Sequence, residues 1–137
     1  MSTTVWFILI VAVFIIFGLL KSKAKFKRIV EDFEAKLTPT NSDDYSRSGR
    51  GEVERELFAD GSAELKVQFS RTNLPEGATV SLLINGTKSG DFQVSKGRVY
   101  EKVNTQSGQT VPSVKSGDTA EIEYNGTVIL SGSFYLD

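Results

Sequence analysis

Hydrophobic and polar residues follow three successive patterns along this chain, and the first is a run of apolar side chains. Residues 5–20 are sixteen consecutive positions without a charged or strongly polar side chain. As an α-helix this run would cover about 24 Å, close to the roughly 30 Å hydrocarbon core of a bilayer. The pattern predicts a transmembrane anchor whose apolar surface includes Val5, Trp6, Phe7, Ile8, Phe14, Phe17 and Leu20.

A cluster of basic residues follows the apolar run directly. No charged side chain precedes the run. This asymmetry favours an uncleaved anchor over a secretory signal, because the cationic region of a signal peptide comes first. The positive-inside rule then predicts a single-pass protein of the cell (inner) membrane with a cytoplasmic β-domain; a periplasmic or extracellular domain is the alternative. The residues that would meet the anionic headgroups of the bilayer are Lys21, Lys23, Lys25, Lys27 and Arg28.

The second pattern has the period of an α-helix. Apolar residues recur at Phe26, Ile29, Val30, Phe33 and Leu37, with charged residues between them. This spacing predicts that the membrane helix continues as an amphipathic helix, so that residues 1–37 form one helical unit. The apolar stripe would pack on the β-domain, lie at the lipid interface or contact a partner subunit, and its five residues are the candidates for partner contact.

The third pattern has the period of a β-strand. Residues 38–51 are polar and rich in turn formers, which predicts a tether. In residues 52–137, apolar and polar residues alternate in about seven short segments, and Asn85-Gly86 and Asn125-Gly126 separate four of them. Asn-Gly between alternating segments is a strong hairpin signal. The predicted fold is mainly β, with one long N-terminal helix followed by an antiparallel β-sandwich or small barrel.

The β-region also contains an internal repeat. Residues 77–79 and 85–87 recur 40 positions later, and residues 89–92 recur 42 positions later. Each copy encodes a strand, a tight turn and a second strand, which predicts two similar hairpins about a twofold axis. The alternative is that hairpins look alike because turn chemistry is restrictive.

Composition excludes most familiar catalytic chemistry. The 137 residues include no histidine and no cysteine, and the net charge is −1. These facts remove Ser/His and Cys/His catalysis, disulfides and histidine-ligated metals, and they leave no field that would recruit nucleic acid. Asp43 and Asp44 lie in the polar stretch, where adjacent carboxylates are usually solvated. The sequence therefore predicts no enzyme activity, no cofactor and no metal site.

Four segments of the β-region carry a family resemblance. They are Leu74-Pro75-x-Gly77-x-Thr79, Asn85-Gly86, Gly108-Gln109-Thr110-Val111-Pro112 and Leu130-Ser131-Gly132-x-Phe134. With these segments, residues 52–137 resemble uncharacterised bacterial membrane-anchored β-sandwich domains. The resemblance implies a fold and a bacterial origin, and it implies no activity.

The anchor and the absence of catalytic motifs together predict a class of function. We expect a non-catalytic accessory or structural subunit of a larger membrane complex, such as a bacterial photosynthetic or respiratory complex. Its partners would be the lipid bilayer and other membrane-protein subunits. The alternative is a membrane-tethered binding module that captures a soluble protein or glycan through residues 70–77 and 104–116.

Overall fold

The computed structural model describes residues 28–40, 45 and 48–137, and these residues form eight antiparallel β-strands. A 3-10 turn, Thr105–Ser107, follows the sixth strand. The predicted anchor, with the basic residues up to Lys27 and with Phe26, lies outside the described residues. The strands are β1 (Ile29–Pro39), β2 (Arg50–Phe58), β3 (Ala63–Ser70), β4 (Thr79–Ile84), β5 (Thr87–Gln93), β6 (Val99–Asn104), β7 (Thr119–Tyr124) and β8 (Thr127–Leu136).

Strand β1 replaces the predicted amphipathic helix. The helical prediction is wrong from Ile29 onward, because β1 pairs with β2 on one side and with β8 on the other. Phe33, Ala35 and Leu37 are buried, whereas the residues between them are more exposed. A spacing of four residues fits strand alternation as well as helical turns, so Phe33 and Leu37 satisfy both periods. Ala35 lies midway between them and fits only the strand.

The strands form one sheet in the order β5-β4-β7-β8-β1-β2-β3-β6. The sheet curls into a nearly closed barrel, and its two end strands, β5 and β6, meet at the hairpin where Ser95 pairs with Arg98. The predicted fold class, with one long N-terminal helix and about seven strands, is wrong for the described residues, which form eight strands. The coarser prediction of a β-rich antiparallel domain agrees with the structure. Within the described part of the chain no helix is long and apolar enough to cross a membrane.

Alternate residues of the strands fill the interior of the barrel. In β3, for example, Leu65, Val67 and Phe69 are buried, and the residues between them face outward. This is the alternation expected of strands with one face on a core and one face in solvent. Other large core side chains are Phe33, Leu37, Val53, Leu74, Val80, Leu82, Ile84, Phe92, Val94, Val99, Val114, Ile122, Ile129, Leu130 and Phe134.

The sequence repeat corresponds to a twofold arrangement of two hairpins, β4–β5 and β7–β8. Strands β4 and β7 pair antiparallel, and Leu82 lies opposite Ile122, its own counterpart 40 residues later. Each hairpin has a register irregularity at the same place, after Leu82 in one and after Ile122 in the other. An antiparallel pair in which a residue faces its own equivalent lies on a twofold axis, so the predicted symmetry is confirmed.

The offset of 40 residues persists to the ends of both hairpins. Gly77 donates its backbone N–H to Val94 O at 3.0 Å, and Gly117 donates to Phe134 O at 2.9 Å. Val94 and Phe134 are therefore equivalent. The sequence match at an offset of 42, which aligned Phe92 with Phe134, is two residues out of structural register.

Both Asn-Gly turns have the predicted backbone. The φ values are 51° and 80° at Asn85 and Gly86, and 49° and 79° at Asn125 and Gly126. Positive φ at both central residues is the requirement of a type I′ turn, which matches the twist of the strands that it joins. The side chain of Asn85 also accepts a hydrogen bond from Thr119 N at 2.9 Å, and this contact links the two hairpins.

Gly132 allows β1 to approach β8 closely. A Cβ atom at this position would collide with the backbone carbonyl oxygen of Lys36 in β1. A backbone atom cannot move aside as the end of a flexible side chain can. The contact between the duplicated hairpins and the rest of the barrel therefore depends on a residue without a side chain.

We expect Gly132→Ala to destabilise the protein by about 2–4 kcal/mol, because the new methyl group would push β1 away from β8. Gly90→Ala is the matched control in β5, where an added Cβ would meet only the Phe92 ring, at 3.2 Å. This change should cost less than about 1 kcal/mol. Urea denaturation followed by far-UV circular dichroism measures both, and equal losses would contradict the proposed role of Gly132.

Candidate functional site

Charged side chains cover the outer face of β1, β2 and β3. Strand alternation places them there, because the intervening residues of each strand fill the barrel core. The group is called the acidic face below, and it contains two lysines, Lys66 at its centre and Lys36 on β1. Its acidic members are Asp32, Glu34, Glu52, Glu54, Glu56 and Glu64, with Asp137 at its border.

The strand register brings acidic residues directly opposite one another. Glu34 pairs with Glu54 across β1 and β2, and Glu56 faces Asp32 on one side and Glu64 on the other. Like charges at opposite positions of neighbouring strands are destabilising. The strand pairing therefore brings negative charges together although their repulsion destabilises the fold.

Lys66 offsets part of this charge. Its Nζ lies 3.0 Å from Glu52 Oε1 and 3.5 Å from Glu54 Oε1. Gln68 Nε2 adds a hydrogen bond to Glu52 Oε1 at 3.2 Å. The hydrogen bond to Glu52 is the main cause that raises the pKa of Lys66 above its ordinary value. Lys36, opposite Glu52 on β1, is a second cation of this face. Two lysines amid six carboxyl groups leave the face acidic.

The crowding raises the pKa of three carboxyl groups towards neutrality. Burial, reinforced by the charge of Glu54, raises the pKa of Asp32 to about 6 and that of Glu56 to about 7. A hydrogen bond shared with Glu52, together with burial, raises the pKa of Glu34 to about 7. The same shared hydrogen bond, with help from Lys66, lowers the pKa of Glu52. The acidic face therefore retains protons that isolated carboxyl groups would lose at pH 7.

Three carboxylates at the border of the face come close enough to share a cation. One oxygen each of Asp32, Glu54 and Asp137 lie within 4.8 Å of one another. Carboxylate oxygens are ligands of hard cations such as Ca²⁺. Exposed acidic groups of this size are also common on proteins that bind no ion, so the arrangement alone does not identify a metal site.

Arg55 is a charged residue inside the barrel. It is only 6% exposed, and its Nη1 donates to Glu31 Oε1 at 3.1 Å. Its Nε finds no hydrogen-bond partner among the described residues. The register places Arg55 between Phe33 and Leu65, at inward-facing positions. The Glu31 side chain is 39% exposed, so this ion pair joins the core to the end of the barrel where β1 begins.

The residues predicted to contact a partner differ in their exposure to solvent. Phe33 and Leu37 lie in the barrel core, so they are not available to a partner of the folded domain. Ile29 and Val30 are 47% and 53% exposed. Arg28 is exposed and accepts a backbone hydrogen bond from Ala59 N at 2.9 Å.

The acidic face did not follow from the helical interpretation of residues 26–37. That interpretation places Asp32 and Glu34 on the solvent side of a helix, away from the predicted strands. The signal that identifies the face is the run Glu52, Glu54, Glu56 at alternate positions of β2. The sequence pattern does not contain the register of β1, which places Asp32 and Glu34 opposite those acids.

Comparison with known proteins does not assign a function. No protein-family model matches the chain, and no match was found among curated proteins. Inference about function therefore rests on the sequence and on the geometry of the described residues.

The raised pKa values predict that stability falls as pH rises from about 4.5 to 7. In this window the folded chain holds protons on Asp32, Glu34 and Glu56 that the unfolded chain has released, so deprotonation favours unfolding. Glu52, whose pKa is lowered, acts in the opposite direction and only below its ordinary value of 4.5. The total loss should be on the order of 2 kcal/mol after screening by solvent.

Urea midpoints measured between pH 5 and pH 8 test this dependence. Glu34→Gln with Glu56→Gln should flatten the profile and raise the midpoint at pH 8. The control is Glu121→Gln on the outer face of β7, where the opposite residues are Leu83 and Ser131. A wild-type midpoint that is constant or rises with pH would contradict the pKa values.

The ion pair of Arg55 gives a second prediction. Glu31→Gln should lower the free energy of unfolding by about 1–3 kcal/mol, because it leaves the Arg55 charge buried without its partner. Arg55→Met removes the buried charge and should change stability by less than about 1 kcal/mol. If Glu31→Gln is harmless while Arg55→Met is severe, the residue acts through packing and not through its charge.

Proposed function

We propose that the protein is a single-pass membrane protein in which the barrel acts as a non-catalytic accessory subunit and docks on a partner in the same membrane. The observation that carries this proposal is an exposed apolar group at the end of the barrel nearest the predicted anchor. Ile29, Val30 and Leu136 are 47%, 53% and 65% exposed. We call these three residues the apolar end. Large exposed apolar side chains that cluster at one end of a domain are typical of interaction surfaces.

Strand order explains why these residues come together. β8 ends beside the first half of β1, with Leu136 opposite Phe33 and with Asp137 N bonded to Asp32 O at 2.9 Å. Ile29 and Val30 continue β1 past the end of β8, where they lack the cover that β8 gives to later residues. The apolar end is thus built from the chain segment that leaves the anchor and from the last strand.

A short connection to the anchor supports docking close to the membrane. Eight residues separate Leu20 from Ile29, and eight extended residues span at most about 28 Å. The predicted bounds of the tether, residues 38–51, are wrong at both ends, because residues 38–39 belong to β1 and residues 50–51 to β2. The remainder connects β1 to β2, so it adds nothing to this distance. The barrel would therefore remain within reach of the headgroups and of neighbouring membrane subunits.

The basic residues beside the anchor indicate the side of the membrane on which the barrel lies. Five cationic side chains in residues 21–28 favour a cytoplasmic barrel and attract anionic lipid. A bacterial photosynthetic or respiratory complex is the host that we propose by analogy with their small single-helix subunits.

A tethered binding module is the second candidate. Residues 70–77 and 104–116 follow antiparallel neighbours, β3 and β6, so they lie at opposite ends of the barrel and do not form one surface. The observation that favours a module is instead a cavity of about 380 Å³, bordered by Arg50, Arg98 and Tyr100. Two arginines beside an aromatic ring suit an anionic ligand.

Variants of the apolar end test the accessory-subunit proposal. Ile29→Ser combined with Leu136→Ser should reduce recovery of the complex at least tenfold, because each apolar contact contributes about 1.5–3 kcal/mol when buried. Native mass spectrometry of mild detergent extracts measures the stoichiometry. Thr127→Ala is the control, since Thr127 is exposed and lies at the other end of β8 from Leu136.

Two outcomes would contradict the proposal. One is a wild-type chain that is extracted as a free monomer, which would favour the binding module. The other is a double variant that keeps its partner while its circular dichroism spectrum is unchanged.

A further inference from the structure

The two Asn-Gly turns have the same backbone but different surroundings. Both turns are exposed, and all four of their central residues have positive φ. Extension of the register between β4 and β7 places Asn85 opposite Thr119, at the start of β7. By the twofold relation, Asn125 is expected opposite Thr79, at the start of β4. The two asparagines therefore allow a comparison within one chain.

Hydrogen bonds to the β7–β8 hairpin hold Asn85 in place. Its backbone N–H donates to Thr119 O at 3.0 Å, and its side-chain Oδ1 accepts from Thr119 N at 2.9 Å. Its side-chain amide also bonds to the Asp118 carboxylate, and this hydrogen bond is the main cause that lowers the pKa of Asp118. Both ends of the Asn85 side-chain amide are therefore occupied.

The equivalent contacts are missing at Asn125 among the described residues. The pairing of β4 with β7 ends at Ser81 and Glu123, before it reaches Asn125. Ala78 stands at the position equivalent to Asp118, and its side chain has no acceptor. The Asn125 side chain makes no hydrogen bond within the part of the chain that the structure describes. It is therefore free to rotate where the Asn85 side chain is held.

An asparagine that precedes a glycine can react without an enzyme. The backbone nitrogen of the glycine attacks the side-chain Cγ and forms a C–N bond, and the side-chain nitrogen leaves as ammonia with the proton of the glycine N–H. Water then opens the cyclic imide at either carbonyl carbon, which gives aspartate or isoaspartate with one further negative charge. Glycine favours the first step because it has no side chain that hinders the approach of its nitrogen.

The first step requires local opening of the turn. Ring closure needs rotation about the Cα–Cβ and Cα–C bonds of the asparagine, so its rate depends on how readily the turn opens. Opening at Asn85 breaks the hydrogen bonds to β7 in addition to those of its own hairpin. Opening at Asn125 requires no loss of this kind. The contacts therefore predict a faster reaction at Asn125.

The position of β5 at the end of the sheet does not reverse this order. β5 is the second strand of the Asn85-Gly86 turn, whereas the corresponding strand β8 is covered by β1. Separation of β5 from β4 would free Gly86 but would leave the Asn85 side chain bonded to β7. Because the asparagine side chain has to rotate, its own hydrogen bonds determine the difference in rate.

From these contacts we infer that Asn125 is a site of spontaneous deamidation, through attack by the Gly126 nitrogen, and that the fold protects the equivalent Asn85. The isoaspartate product carries one additional carbon atom in its main chain. A two-residue type I′ turn does not accommodate that atom, so the reaction weakens the β7–β8 hairpin. The inference does not depend on the proposed function, since the reaction needs only water.

Incubation of the full chain in detergent micelles, in mildly alkaline buffer made with heavy-oxygen water, tests the inference. Peptide mapping by mass spectrometry measures the loss of each asparagine and the oxygen gained from water. In the folded chain Asn125 should react at least tenfold faster than Asn85, because the hydrogen bonds of Asn85 have to break first. In urea that unfolds the chain the two rates should become nearly equal, since Gly-Thr follows both asparagines.

A variant of Asp118 tests the cause of the protection. Asp118→Ala removes an acceptor of the Asn85 side chain, so it should raise the rate at Asn85 about fivefold and leave the rate at Asn125 unchanged. The matched control is Asp91→Ala, which removes an exposed carboxylate whose partners lie within the β4–β5 hairpin. It should change neither rate. Circular dichroism verifies that both variants are folded.

Each remaining outcome contradicts the inference. Equal rates in the folded chain, or no reaction at Asn125, would mean that its turn stays closed without the additional contacts. A faster reaction at Asn85 would mean that separation of β5 controls the rate. A difference that persists in urea would assign it to the neighbouring residues and not to the fold. A folded Asp118→Ala variant with an unchanged rate at Asn85 would show that this carboxylate does not protect it.

Discussion

The pairing of β1 with both β8 and β2 is the interaction on which the barrel depends. The duplicated hairpins form four strands of the sheet, β5-β4-β7-β8, and β2, β3 and β6 form the rest. β1 is the strand that connects these two groups. Without it the duplicated hairpins would expose a second open edge, and the core residues Phe33, Ala35 and Leu37 would be missing from the interior. Close approach at Gly132 is the local condition that allows this connection.

The same pairing explains the acidic face. Burial of Phe33 and Leu37 fixes the register of β1, and a shift of one residue would turn its apolar side chains to solvent. The same register determines the neighbours of the outward-facing residues, so Glu34 lies opposite Glu54 and Asp32 lies opposite Glu56. The core therefore determines a surface that electrostatics alone would not favour. Because the carboxyl groups are held close together, the pKa values of Glu34 and Glu56 are raised, and Lys66 forms ion pairs that offset part of the negative charge.

The sequence predicted secondary structure correctly where its hydrophobic pattern fitted the two-residue period of a strand and not the 3.6-residue period of a helix. In residues 52–137 the alternation is strict and the Asn-Gly turns permit few geometries, so the antiparallel fold and the paired hairpins could be predicted. In residues 29–37 the spacing of Ile29, Phe33 and Leu37 suits both a strand and a helix, and the apolar run before it favoured the helix. The acidic face depends on which strands become neighbours. Pairing between residues far apart in the chain is decided by tertiary packing, which a local pattern does not contain.

The repeat shows why similar sequences need not have similar surroundings. The two hairpins share their turns, their register irregularity and their end hydrogen bonds, so local chemistry alone gives them one structure. They differ at the equivalent positions of Phe92 and Gly132. Gly132 admits the backbone of β1, whereas Phe92 places a ring beneath Gly90. Between β5 and β6 the described residues form one bridge, Ser95 with Arg98, so the outer edge of β5 lacks the continuous partner that β1 gives to β8. A symmetric pair of hairpins therefore has asymmetric surroundings in the barrel.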